Sequence, residues 1–212
     1  MADIVEHCWL LDLDRTLSSV EVVMGVVEHV CKEMGLDYDK ISEQKKVAES
    51  HGHSFSAVTT IRSLWPERVV EFFGKFKKID HINSIYSDAK QFISKLKEQK
   101  TPFLVITYGD TVWQEAKLHL LGLWSEPFII CDIPEKSVLL RQYKKDEIFE
   151  LHTESLVIAA KTVTLVDDKL EAFVEMPEGA RSIFMNRSRK ESVVPEGILE
   201  VNSFAEILGE IS

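Results

Sequence analysis

Trp9-Leu10-Leu11-Asp12-Leu13-Asp14-Arg15-Thr16-Leu17 places two carboxylates directly after a short apolar run. The run reads as a buried strand, in which residues two apart share a face. A chain leaving such a strand after Asp12 can aim both acids into one crevice beyond the strand's carboxyl end. Two acids there can hold a cation. With a divalent ion present, one carboxylate can attack a phosphorus atom while the other exchanges a proton with the leaving group, provided that their surroundings set their pKa values apart. The plain alternative is a strand end followed by an acidic, capping-type turn, so the rest of the chain must decide between the two.

Working outward, further short apolar runs read as buried strands: Cys8 to Leu11 itself, then Phe103 to Ile106, Phe128 to Cys131, Val163 to Val166 and Ser182 to Met185. Longer amphipathic stretches separate them, the pattern of a parallel sheet covered on both faces. Ser87-Asp88 can cap a helix whose buried stripe is Ala89, Phe92, Ile93 and Leu96. A second helix is predicted from Thr111 to Leu121, closed by Gly122. Between Leu17 and about Tyr86 the rhythm changes. Val20 to Met34 (followed by Gly35), Ile41 to Glu49 and Glu67 to Phe76 read as helices with no strand among them. The expected architecture is therefore an α/β, Rossmann-like parallel sheet with helices on both faces plus a small helical cap domain. Residues 1–17 and 86–212 would form the core and 18–85 the cap, placed to control entry to the crevice and exclude water.

The bulk properties narrow the function classes. The 212 residues are 45% hydrophobic, enough for a sizeable core. Formal net charge is -10, from 35 acidic and 25 basic residues, so the average field repels phosphate backbones and anionic lipid surfaces. Nucleic acid and membrane are not expected as partners, and oligomeric state is not legible. Cys8, Cys31 and Cys131 are odd in number and widely spaced, without zinc-type spacing, and read as reduced buried thiols. With no signal pattern at the N-terminus and no apolar run long enough for a bilayer, the expected location is cytoplasmic.

Three more segments carry chemistry. Val105-Ile106-Thr107-Tyr108-Gly109-Asp110 puts a hydroxyl where a strand leaves the sheet, followed by a glycine that lets backbone amides approach a ligand. Thr107 and Tyr108 are thus candidates for phosphate binding, against the alternative of a strand end and turn. Leu165-Val166-Asp167-Asp168-Lys169 sets adjacent acids straight after another strand, costly unless a cation or hydrogen bonds compensate, which favours a metal site. A cation is also wanted beside the transferring group, because that group and an attacking carboxylate are both negative. Lys136, after the third strand, suits this; Lys144 and Lys145 compete, since Lys-Lys-Asp-Glu-Ile-Phe also looks like the start of a helix.

Taken in order, Asp12-Leu13-Asp14-Arg15-Thr16, Thr107, a downstream lysine and Asp167-Asp168 resemble the four motifs of the haloacid dehalogenase-like hydrolases. The helical segment falls where that family carries a cap. The resemblance implies that Asp12 is a nucleophile forming an aspartyl-phosphate and that Asp14 is the general acid that then activates water. It implies Mg2+ held by Asp12, the Asp14 backbone carbonyl and the Asp167-Asp168 pair, with Asp168 the more direct ligand, and phosphate oxygens bound by Thr107 and Lys136. Two departures stand out: Arg15 occupies the place of the family's usual glycine, and Asp-Asp replaces the commoner Gly-Asp. The expected function is a magnesium-dependent phosphatase acting on a small phosphorylated molecule. The alternatives are a phosphotransferase or dehalogenase of the same superfamily, or a ligand- or protein-binding module without turnover.

Other signals are read plainly. His51-Gly52-His53 lacks a third ligand and reads as a solvated loop. Trp65, Phe72, Phe73 and Phe76 have helical spacing and read as cap core. Asn186-Arg187-Ser188-Arg189-Lys190 reads as a solvated basic loop.

Overall fold

The computed structural model describes residues 4–79, 84–153 and 155–211. Its strands are β1 (Ile4–Leu11), β2 (Phe103–Tyr108), β3 (Phe128–Cys131), β4 (Lys144–Lys145), β5 (Ile148–His152), β6 (Val157–Asp167), β7 (Ala180–Met185) and β8 (Ile198–Val201). The α-helices are α1 (Val20–Met34), α2 (Tyr38–Ser50), α3 (Ala57–Leu64), α4 (Val69–Phe76), α5 (Ser87–Glu98), α6 (Thr111–Leu120) and α7 (Lys136–Tyr143). The chain divides into two compact units. One comprises Met1–Ser19, Ile85–Thr107 and Glu126–Ser212; the other comprises Val20–Ser84 and Tyr108–Ser125.

The first unit is an α/β layer structure built on one sheet. Strands β3, β2, β1 and β6 lie side by side, and β7 and β8 extend the sheet beyond β6. The pairs β1–β2, β1–β6, β6–β7 and β7–β8 are all parallel. Cys8 to Leu11, Leu104 to Ile106 and Val163, Leu165 and Val166 are buried, as the near-continuous apolar runs of a sheet covered on both faces require. Register then aligns the strand ends. Leu11 is opposite Val105 on one side and Val166 on the other, so β1 and β6 end within one residue of each other while β2 runs three residues past Val105, to Tyr108.

An antiparallel ribbon was not expected. Strand β6 begins at Val157; its first residues pair with β5, its last with β7. Lys144 and Lys145 do not open a helix: they form β4, which pairs antiparallel with β5 across a turn in which Asp146 has φ 53°. Phe149 and Leu151 are buried while their neighbours are not, a period of two rather than 3.6.

Helix α5 buries Ala89, Phe92, Ile93 and Leu96 as predicted, but Ser87 and Asp88 do not cap it. The cap position is Tyr86, and the Asp88 carboxylate is drawn away to the Phe204 amide and the Arg187 guanidinium.

The second unit is helical. Helix α1 ends at Met34 before Gly35 at φ 65°, and α4 begins after a short turn over Pro66–Arg68. Phe72 and Phe76 are fully buried, Phe76 packing against Trp113 of α6 with ring centroids 5.3 Å apart. Asp110 caps α6 by accepting from the Trp113 amide, and Gly122 at φ 69° follows its end. Helix α3, with Ser56 as its cap, was not anticipated, because only eight residues carry its pattern. No helix among the described residues is long and apolar enough to cross a membrane.

Candidate active site

Asp12 is the first residue beyond β1, and its amide donates to Val166 O at 2.9 Å, which stitches the strand end to β6. The side chain is 6% exposed. Lys136, the first residue of α7 and 2% exposed, reaches it: Nζ lies 2.5 Å from Asp12 Oδ1 and 2.5 Å from Asp167 Oδ2. Helix α7 is held in place by its next turn, where Ser137 Oγ and Arg141 Nη1 donate to the Val174 carbonyl. The competitors point elsewhere, Lys144 to the Glu178 carbonyl and Lys145 to Glu150.

Both Asp167 oxygens are engaged, since Oδ1 accepts from the Lys169 amide at 2.9 Å. Carboxylate oxygens of Asp12, Asp167 and Asp168 all lie within 4.8 Å of one another. Fully ionised, three carboxylates and one ammonium leave two formal negative charges in a mostly buried space. Such a space must take up protons or a cation. The first option shows in the acids themselves. Burial pushes the Asp12 carboxyl up to about 7, with the Asp167 and Asp14 charges adding to the shift and Lys136 opposing it. Burial, Asp12 and Asp167 push Asp168 up to about 8, while Arg15 and Lys169 pull it back. Lys136 is held well above the usual lysine range: burial would lower it, but Asp12 and Asp167 outweigh burial. The second option also fits. The donors are hard carboxylate oxygens gathered within 4.8 Å, a set suited to magnesium.

Asp14 is half-buried in the loop after β1 and bridges to Ser18. It lies outside the three-carboxylate group, but its charge is felt at Asp12. Arg15 adopts φ 60°, a left-handed conformation that disfavours a side chain, and its amide donates to Ser18 O at 2.8 Å. The loop thus keeps the backbone shape a glycine would give while adding a cation felt at Asp168.

Thr107 is buried near the end of β2, one residue beyond the level of Asp12, and its carbonyl accepts from the Cys131 thiol at 3.2 Å. Tyr108 belongs to the second unit, where its carbonyl accepts from Gln114 Nε2 at 2.8 Å. His51 and His53 lie exposed in the turn after α2, with His51 Nδ1 against Val47 O. Of the basic run after β7, Asn186 and Arg187 are not solvated. Asn186 is 6% exposed and bonds Glu200 and the Lys190 carbonyl, and Arg187 packs inward on Asp88. Asp88 and Arg187 were missed as candidates. Arg187 did carry a signal, since it lies two residues past the end of β7, as Asp12 lies just past β1.

No protein-family model matches the chain, and no curated protein matches it in sequence. Solved structures do resemble it. A Burkholderia xenovorans protein described as a haloacid dehalogenase-like hydrolase superposes with a TM-score of 0.67 at 18% identity, over 97% of this chain and 96% of that one. A Bacillus subtilis HAD-hydrolase bound to magnesium gives 0.58 at 13% identity, over 99% and 100%. A HAD phosphatase from Thermococcus onnurineus gives 0.56 at 16% identity, over 98% of each. Structures described as dehalogenases share the architecture as well. The chain has the haloacid dehalogenase-like hydrolase fold.

Proposed function

We propose that this chain, built on that fold, is a magnesium-dependent phosphatase that acts on a small phosphorylated molecule through an aspartyl-phosphate. The observation that carries the reading is the division of Asp12: Lys136 holds Oδ1, and Oδ2 is buried with no hydrogen-bond partner among the described residues. An oxygen so placed is desolvated and oriented, as a nucleophile should be.

In this reading Asp12 Oδ2 forms a bond to phosphorus as the bond to the leaving oxygen breaks, and Asp14 passes a proton to that oxygen. Asp14 then takes a proton from water, whose oxygen attacks the phosphorus of the aspartyl-phosphate, releasing inorganic phosphate and restoring Asp12. Lys136 and Thr107 bind phosphoryl oxygens, with Tyr108 beside them in sequence. Asp12, Asp168 and the Asp14 carbonyl would hold the metal, with Asp167 oriented behind them by Lys136 and Lys169. When bound, magnesium offsets the negative charge shared by carboxylates and phosphoryl oxygens. The small substrate and the three free buried thiols suit a cytoplasmic setting.

A dehalogenase would use the same nucleophile, but a departing halide needs no proton, so Asp14 argues for phosphate. Comparing leaving groups tests this. In Asp14→Asn, hydrolysis of an alkyl phosphate should fall about 10²- to 10⁴-fold. Release of nitrophenol from nitrophenyl phosphate should show a burst, because that leaving group needs little protonation. Halide release from 2-haloacids without phosphatase activity would overturn the reading.

A further inference from the structure

Arg187 lies two residues past the end of β7, after Asn186, at the sheet end where β1 and β6 deliver Asp12 and Asp167. Its side chain is only 14% exposed. Nε donates to the Thr16 carbonyl at 2.9 Å and Nη1 to Asp88 Oδ1 at 3.2 Å. The guanidinium lies over the Tyr86 ring, 4.0 Å from its centroid, and 5.6 Å from that of Phe204. Asp88 is fixed in turn by the Phe204 amide at 2.7 Å. One side chain therefore ties together the loop after β1, the start of α5 and the segment after β8.

The loop it touches carries Asp14. Within that loop the Leu17 and Ser18 amides both donate to Leu13 O, and the Arg15 amide donates to Ser18 O. The Thr16 carbonyl is held instead by Arg187. Stability alone is a poor reason for this arrangement. A part-buried ion pair is weak as a stabilising device, and Arg187 Nη2 is buried with no hydrogen-bond partner among the described residues, an added cost. An apolar side chain packed on Tyr86 and Phe204 would avoid both. What arginine alone supplies is a planar fork that reaches a backbone carbonyl and a carboxylate at once.

We propose that Arg187 is a positioning residue that sets the conformation of the Leu13–Ser18 loop and, through it, of Asp14. The link to turnover rests on the phosphatase reading; the ordering of the loop does not.

Hydrogen exchange of the full-length protein with magnesium, paired with steady-state hydrolysis of phosphate monoesters, tests both parts. In Arg187→Met, exchange of the Leu13–Ser18 amides should quicken about 10-fold or more while β6 keeps its protection. In parallel kcat should fall about 10- to 100-fold with KM changed by less than about 3-fold, the effect expected when a catalytic group is misplaced by about an ångström. Arg187→Lys, able to keep only one of the two bonds, should lie between. If Arg187→Met does not fold, the lysine variant decides by the same criteria. Unchanged exchange in the loop, or exchange that quickens equally in β6, overturns the proposal. Inactivity of the wild type on every phosphate monoester would sink the phosphatase reading and leave the exchange result to decide this one.

Discussion

Lys136 Nζ lies 2.5 Å from Asp12 Oδ1, with both side chains almost excluded from solvent. The same ammonium serves Asp167, so a single cation holds two strand-end carboxylates in a space that would otherwise expel them. Removing one member of such a cluster leaves an unpaired buried charge. Lys136→Met should therefore cost about 3–5 kcal/mol of stability in urea unfolding, and adding Asp12→Asn to it should restore part of that loss. A neutral Lys136→Met would show that the acids are protonated or solvated and that Lys136 does not organise the site.

The raised acids make magnesium binding pH-dependent. Asp12 and Asp168 sit at about 7 and about 8, above the ordinary carboxylate value of about 4, so between those limits the folded chain binds protons that the unfolded chain does not. The contribution of these groups to metal-free stability falls as pH rises through that window. Magnesium competes with the same protons, so the rise in Tm on adding it should be larger at pH 8 than at pH 6. An equal rise at both would mean that the ion binds elsewhere.

Gly109 bears on the local shape beside Thr107. It adopts φ 137°, and a Cβ there would lie 2.3 Å from Ser54 Oγ and 2.8 Å from Gln114 Nε2. Gln114 also holds the Tyr108 carbonyl, so it has little freedom to retreat. Gly109→Ala should lower stability by about 1–3 kcal/mol in thermal unfolding. An unchanged Tm would show that the turn relaxes freely.

What was legible in sequence follows the range of the interactions. The apolar runs at Cys8–Leu11, Phe103–Ile106 and Val163–Val166 declare buried parallel strands on their own, and so the strand-end acids Asp12 and Asp167 were found with them. Lys144-Lys145-Asp146-Glu147 has the charge pattern of a helix start; only the pairing of β4 with β5, itself paired with β6, makes it a ribbon. Asp88 has the composition of a cap, yet the Phe204 amide, 116 residues away, outbids the local helix. Arg187 sits in a basic run whose solvated appearance conceals two inward residues, Asn186 and Arg187. Lys136 was preferred from sequence with Lys144 and Lys145 left as competitors; what sequence did not carry is where each side chain reaches, Lys136 to Asp12 and the other two to Glu178 and Glu150.

The most direct test of the account is the rate of phosphate release from a phosphate monoester with magnesium, measured for the wild type and for Asp12→Asn. Hydrolysis should require magnesium in the wild type and fall about 10³-fold or more in the variant, since removing a covalent nucleophile leaves only binding and electrostatic catalysis. Equal rates in the two proteins would contradict it.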